Sequence, residues 1–211
     1  MRSLASQFRT TTPVLLISWL LTLLALLFAI YAATRKDIPL DYLTKDPTAI
    51  MKAPFYLGFF SNLGIIIWSC AFCSCFFTAS RIMNVRYLQQ DFFFMIISGF
   101  VTLLLTLDDL YQLHEYVFPH YFSIPENAIL LTYLNIFLLW GLRFRKRMLQ
   151  SDFLVLGLAF FFLGMSTIIK LVPLPIPQDT FMKDAFKLFG SVTWFIYFFR
   201  TGNEILDKHV R

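Results

Sequence analysis

The chain has 211 residues, of which 58% are apolar and 15% are charged, and 26 of them are phenylalanine. Soluble domains have about 25% charged and 45–50% apolar residues, so this chain has too little polar surface to cover a soluble core. The composition excludes an ordinary soluble domain, a disordered chain and a disulfide scaffold, and it leaves an integral membrane protein.

Six long apolar runs predict an all-α integral membrane bundle of six transmembrane helices, in a single domain, 1–211. A helix needs roughly 20 apolar residues to cross the hydrocarbon core, whereas a membrane barrel would show alternating strands of about 10 residues. The predicted spans are residues 14–33, 55–78, 92–117, 124–142, 153–171 and 182–199. The sixth is the weakest because Lys183, Asp184 and Lys187 lie in its first turns.

The third span needs an extension beyond its apolar part. Residues 92–107 make only about 24 Å of helix, which is too short to cross the membrane. We therefore expect this helix to continue to about Val117. The extension places Asp108 and Asp109 near the edge of the hydrocarbon, where ionisable side chains are costly and face a bundle interior or a wet cavity.

A cluster of acidic and histidine side chains surrounds the end of this span, in a segment from Leu88 to Leu142 that has no lysine or arginine. The cluster comprises Asp108, Asp109, His114, Glu115, His120 and Glu126. Carboxylates and imidazoles bind divalent metals such as zinc, manganese or iron. The same groups relay protons in membrane proteins.

Helical spacing limits which of these side chains can meet. At 100° per residue, Asp108, Gln112 and Glu115 share one face of a straight helix, whereas His114 points about 120° away from Asp108. Asp109 points about 100° to the other side. A shared site therefore needs groups from another part of the chain.

Three interpretations of the cluster stay open. The first is a divalent-metal site, whose ligands would be Asp108, Asp109, His114 and Glu115. The second is a proton or cation pathway that uses the same groups. The third is a structural set of ion pairs, with Lys170 and Lys187 as the charge partners of the acids.

Glu126 and Trp68 are expected to have structural roles. Ser123 and Glu126 match a capping box, S-x-x-E, which would start the fourth helix. Trp68 lies in the middle of the second span, so we expect it to pack between helices rather than to anchor the span at an interface.

The distribution of charge predicts the orientation. Six spans place both termini on one side, which carries eleven of the eighteen Lys and Arg residues, and the positive-inside rule makes this side cytoplasmic. Nine of the thirteen acidic residues lie on the other side. We expect a multi-pass protein of the bacterial inner (or thylakoid) membrane. The lipid bilayer would be its main partner, nucleic acid is not expected, and a membrane-protein partner or a second copy of the chain stays open.

The segment LTLDDLYQLHEYVFPHYFSIPE resembles an LDDxxxxHE motif in uncharacterised polytopic membrane proteins of bacteria, cyanobacteria among them. The resemblance covers about 20 residues and implies a multi-pass membrane protein without an established activity. A looser similarity is to membrane-embedded zinc hydrolases of the alkaline ceramidase type, which use His, Asp and Ser near helix ends. Those enzymes carry a His pair on a late span, and the fifth and sixth spans here contain no histidine.

Together these observations favour a binding or transport-related protein with a divalent-cation or proton site at the outer end of the third span. One alternative is a membrane-embedded, metal-dependent lipid hydrolase, in which a metal-bound water attacks the substrate. That alternative predicts a lipid-accessible groove beside the cluster and a divalent metal ion as cofactor. A further alternative is a non-catalytic assembly factor for a membrane complex.

Overall fold

The computed structural model describes residues 4–43, 45, 47–54, 56–172 and 179–210. Every regular element in these ranges is helical. The chain divides into two compact units, Met1–Leu57 and Gly58–Arg211. The expectation of a single domain, 1–211, stays a prediction.

The first unit is built around one long helix. It contains α1 (Leu4–Arg35), a 3-10 turn (Leu40–Leu43) and the short helix α2 (Pro47–Ile50). Within α1, Leu15–Arg35 is long and apolar enough to cross a membrane, and its most apolar part has no buried residue. Such a helix needs lipid as its solvent, and it corresponds to the predicted first span.

The described residues of the second unit form five long helices. Its elements are α3 (Phe59–Ile82), α4 (Gln89–Tyr111), a π-helical turn (Leu113–Val117), α5 (Phe118–Phe122), α6 (Glu126–Leu149), α7 (Phe153–Leu171) and α8 (Asp179–Val210). A 3-10 turn, Arg86–Leu88, leads into α4. α8 packs against α3 and α7, and α4 packs against α3 and α6. We call the end of this unit where α4 ends and α6 begins the acidic end, and the opposite end the basic end.

Five of the described helices are long and apolar enough to cross a membrane, so the chain is a multi-pass membrane protein. They are Leu15–Arg35, Phe59–Ile82, Arg86–Tyr111, Glu126–Leu149 and Phe153–Leu171. The predicted sixth span, 182–199, lies within α8, which is not among the five. The predicted start of the second span, Phe55, lies outside the described residues.

The predicted extension of the third span to Val117 is wrong. The α-helix ends at Tyr111, because Gln112 adopts a left-handed backbone conformation with φ 51°. A π-helical turn follows in place of the straight helix.

The core of the second unit is an aromatic cluster whose tryptophan indoles donate hydrogen bonds to hydroxyl groups of α4. Trp194 is fully buried, and the indole of Trp140 is nearly so. The Trp194 indole N–H donates to Thr102 Oγ1 at 3.0 Å, and the Trp140 N–H donates to Ser98 Oγ at 3.0 Å. Thr102 in turn donates its hydroxyl to the Ser98 carbonyl at 2.8 Å. The polar groups of α4 thus find partners where no water can reach them.

Trp68 lies in this cluster and is 2% exposed. Its ring packs edge-to-face against the Trp194 ring, with 6.0 Å between the ring centres. The expectation that it packs between helices is confirmed.

Gly190 lets α7 and α8 approach each other closely. A Cβ added at Gly190 would lie 2.7 Å from Leu163 Cγ and 3.2 Å from the Leu163 backbone nitrogen. Gly164, on α7, has no atom within 4 Å of its added Cβ. Of these two glycines, only Gly190 is therefore required by packing.

Replacing Gly190 with Ala should destabilise the protein by about 1–3 kcal/mol, since the new methyl group overlaps α7. Gly164→Ala should be neutral or stabilising by up to about 1 kcal/mol, because Ala favours helix and the space is open. Thermal unfolding of the two variants in detergent measures the difference. Equal melting temperatures would show that α7 can move away from α8 without cost.

Candidate functional site

The break at Gln112 folds the chain back onto the end of α4. The Gln112 N–H donates to the Asp108 carbonyl, as the helix closes. Two residues later the His114 backbone N–H donates to Asp108 Oδ1 at 3.0 Å. The carboxylate replaces the carbonyl that a continuing helix would have supplied, and it fixes the direction in which the chain leaves α4.

Asp108 is a buried carboxylate, 4% exposed, that accepts three hydrogen bonds. Besides the His114 backbone, the His114 ring contacts Asp108 Oδ2 through Nδ1 at 2.5 Å. The third donor is the Tyr133 hydroxyl of α6, at 2.8 Å from Oδ1. Both oxygens are satisfied, as a carboxylate at this depth requires. Asp108 therefore ties α4, the π-helical turn and α6 together.

The second nitrogen of the His114 ring contacts Lys170 of α7. His114 Nε2 lies 2.9 Å from Lys170 Nζ. The same ammonium lies 2.6 Å from Glu115 Oε1 and 2.5 Å from Glu126 Oε1. A chain of contacts thus runs from buried Asp108 through His114 and Lys170 to Glu115 and Glu126, whose side chains are 41% and 36% exposed.

Asp109 turns away from this chain and pairs with α8. Its Oδ1 lies 2.5 Å from Lys187 Nζ, and its side chain is 9% exposed. Lys170 and Lys187, the charge partners named from the sequence, therefore contact different acids on different helices. His120 lies in α5, where it stacks on Tyr116 and makes no described contact with Asp108 or His114.

The four ligands of the predicted metal site do not converge on one point. Asp108 and Glu115 both approach His114, but Asp109 is directed to Lys187. A different trio, His114, Glu115 and Glu126, has ligand atoms within 4.8 Å of one another. Their donor chemistry suits a divalent cation, but Lys170 Nζ lies within 2.9 Å of all three, where such a cation would have to sit.

The contacts of His114 control its charge. Burial opposes protonation, but the interactions with Asp108 and Glu115 outweigh it and raise the pKa of His114 to about 9. The interaction with His114, helped by Lys170 and opposed by burial, lowers the pKa of Glu115. The two nitrogens at 2.9 Å cannot both direct a proton at each other, so full protonation of His114 must weaken its contact with Lys170.

Two cavities flank this arrangement. The first, about 190 Å³, has a polar lining that includes Asp109, Gln112, His114, Lys183 and Asp184. The second, about 270 Å³, is lined by charged and polar side chains, among them Asp108, His114 and Lys170, and by apolar side chains. Those side chains include Leu105, Leu134, Phe137 and Leu163.

The sequence assigned Glu126 a role that the structure does not show, and it gave no reason to select Tyr133. Glu126 was expected to form a capping box, but α6 begins after Pro125 without a side-chain cap, and Ser123 instead ends α5 in a left-handed conformation. Glu126 contacts Lys170 in place of its own helix. Tyr133 gave no sequence signal beyond its position two helical turns after Glu126, on the same face of α6.

The model of a family described as a domain of unknown function (DUF8692) matches residues 15–201, so the chain belongs to this family. No curated protein and no solved structure matches the chain. The expectation of an uncharacterised family is consistent with this result. A bacterial or cyanobacterial origin stays a prediction.

Stability should depend on pH through His114. Because the folded-state pKa of about 9 exceeds the ordinary value near 6.5, protonation stabilises the fold fully below about pH 6.5. This contribution, about 3 kcal/mol at most, should be lost as the pH rises through 9. Melting temperatures measured from pH 6 to 10 should fall in the wild type and in His120→Gln, but much less in His114→Gln. Identical profiles for all three proteins would contradict this assignment.

Proposed function

We propose that this member of the DUF8692 family is a six-span, transport-related membrane protein that binds a proton at the His114–Asp108 pair. The observation that carries the proposal is the chain of ionisable side chains from exposed Glu115 and Glu126 to buried Asp108. Three carboxylates face only one lysine and one histidine within it. A neutral His114 leaves an excess of two negative charges, and a protonated one leaves an excess of one.

Protonation would act as a switch between two sets of contacts. A neutral His114 donates from Nδ1 to Asp108 and accepts from Lys170 at Nε2. A second proton occupies Nε2, so Lys170 keeps only Glu115 and Glu126 as partners. Proton uptake thereby releases the His114 ring from Lys170, while Glu115 still joins the π-helical turn to α7.

Access to this site would be from the acidic end alone. Beyond Asp108, towards the basic end, α4 buries Thr102 and Ser98, whose hydroxyls are held by tryptophan indoles. The aromatic cluster there closes the bundle. This arrangement favours a proton-binding site facing one compartment over an open channel.

The sixth span in this proposal is α8. Four of its exposed apolar residues recur at helical spacing and form one stripe, as a lipid-facing helix requires: Phe189, Val192, Ile196 and Phe199. Its flanking cations are paired, Lys187 with Asp109 at one end and Arg200 with Asp152 at the other. Six crossings place both termini on one side, which the excess of basic residues makes cytoplasmic, in a bacterial inner or thylakoid membrane.

A second candidate, the metal-dependent lipid hydrolase, is favoured by the larger cavity. Its leucine-rich lining lies beside His114 and Asp108, as a groove for a lipid substrate would. It requires Lys170 to leave the position among His114, Glu115 and Glu126 so that a divalent ion can enter.

Proton counting tests the first candidate. Potentiometric titration of the purified protein between about pH 7 and 10 should release about one proton more per chain from the wild type than from His114→Gln. Asp108→Asn should move this release to lower pH, because the carboxylate that favours the charged imidazole is gone. Asp184→Asn, a nearby acid whose side chain is 43% exposed, is the matched control and should leave it unchanged.

Elemental analysis of the same preparations separates the two candidates. Near-stoichiometric metal in the wild type, lost in the Asp108→Asn/Asp109→Asn/His114→Ala variant, would favour the hydrolase. A proton release that does not depend on His114 or Asp108 would contradict the proton site.

Labelling of single cysteines tests the sixth span. With Cys70, Cys73 and Cys75 replaced by Ser, Phe181→Cys and Lys208→Cys should react with a membrane-impermeant maleimide from opposite sides of sealed vesicles. Tyr121→Cys and Arg145→Cys, exposed at the acidic and the basic end, provide the two reference sides. Labelling of both ends of α8 from the same side would show that this helix does not cross.

A further inference from the structure

A third cavity, of about 580 Å³, lies at the basic end, between the start of α4 and the end of α6. Four cations and two amides line it: Arg143, Arg145, Lys146, Arg147, Gln89 and Gln90. None of the described lining residues is acidic. The cavity therefore presents hydrogen-bond donors and positive charge to whatever enters it.

Arg147 is the most constrained of these cations. Its Nε donates to Asp91 of α4, and its side chain is 11% exposed. Its Nη2 atom is buried and has no hydrogen-bond partner among the described residues. An unpaired guanidinium nitrogen costs free energy, so the position calls for an acceptor, and the surrounding cations favour an anionic one.

Arg143 contributes a second oriented guanidinium. Its Cζ lies 5.3 Å from the centre of the Phe144 ring, in a cation–π contact. The planar fork of arginine binds phosphate oxygens in pairs, which suits a tetrahedral anion between α4 and α6.

The remaining wall of the cavity is apolar and faces outwards. Phe93 is 43% exposed and Leu142 is 59% exposed, and each lies on the membrane side of the cations, one or more turns into its helix. A free phosphate would leave this surface without a partner. A molecule with an anionic head and a hydrocarbon tail would use both parts of the cavity.

We propose that this cavity binds the headgroup of an anionic phospholipid. The phosphate lies against Arg143 and, once the Arg147 side chain turns its buried Nη2 towards the cavity, against that nitrogen. The acyl chains lie along Phe93 and Leu142. This site is separate from the His114–Asp108 pair, at the opposite end of α4, and it does not depend on the function proposed for that pair.

Native mass spectrometry of the detergent-purified protein, mixed with phosphatidylglycerol or phosphatidylcholine, tests the proposal. The wild type should retain phosphatidylglycerol in preference to phosphatidylcholine. Arg143→Gln/Arg145→Gln should weaken retention of phosphatidylglycerol by roughly 30-fold. Arg147→Lys keeps a cation beside Asp91 but has no atom in the place of Nη2. This variant should weaken retention of phosphatidylglycerol by about tenfold.

The control is Arg81→Gln/Arg200→Gln, which removes two exposed cations at the basic end that do not line the cavity. It should retain the lipid as the wild type does. Equal weakening in the two double variants would show attraction by net charge alone and would overturn the proposal. Equal retention of both lipids would also overturn the proposal. Displacement of phosphatidylglycerol by millimolar inorganic phosphate would overturn it as well, because the ligand would then be a free anion. Melting temperatures confirm that each variant is folded.

Discussion

The buried carboxylate of Asp108 is the interaction on which the acidic end depends. A charge at this depth persists only where donors surround it, and here three donors come from two segments. Those donors are the backbone and ring of His114 and the hydroxyl of Tyr133. Because the His114 backbone is one of them, the carboxylate also determines how the chain turns after α4. The geometry of the rest of the site follows from that turn.

The same requirement explains the remainder of the second unit. In the middle, tryptophan indoles and hydroxyl groups of α4 satisfy one another between the helices. At the basic end, Asp91 is matched by Arg147 of α6. α4 thus carries polar groups from end to end, and these groups join it to α6 and α8. Apolar surface is left for the lipid, while pairing between polar groups selects the packing.

Much of this architecture could be predicted from the sequence, because membrane spans are encoded by length and composition alone. The predicted span 153–171 coincides with α7. Lys170 and Lys187, chosen as candidate charge partners, do contact acids of the cluster. The break at Gln112 could not be predicted, since a non-glycine residue in a left-handed conformation has no reliable sequence signal. The contact of His114 with Asp108 depends on that single residue and was missed with it.

The position of Lys170 has a consequence for the ion chemistry of the site. Its ammonium is a cation that is covalently part of the chain, so the fold, and not the ion concentration of the surroundings, determines its presence in the site. Scarcity of metal ions, or a chelator in the medium, cannot remove it. A chain in which this lysine became a neutral residue would keep an imidazole and two carboxylates around the vacated position. Replacement of Lys170 alone therefore converts a site that contains its own cation into one that must bind a cation from solution.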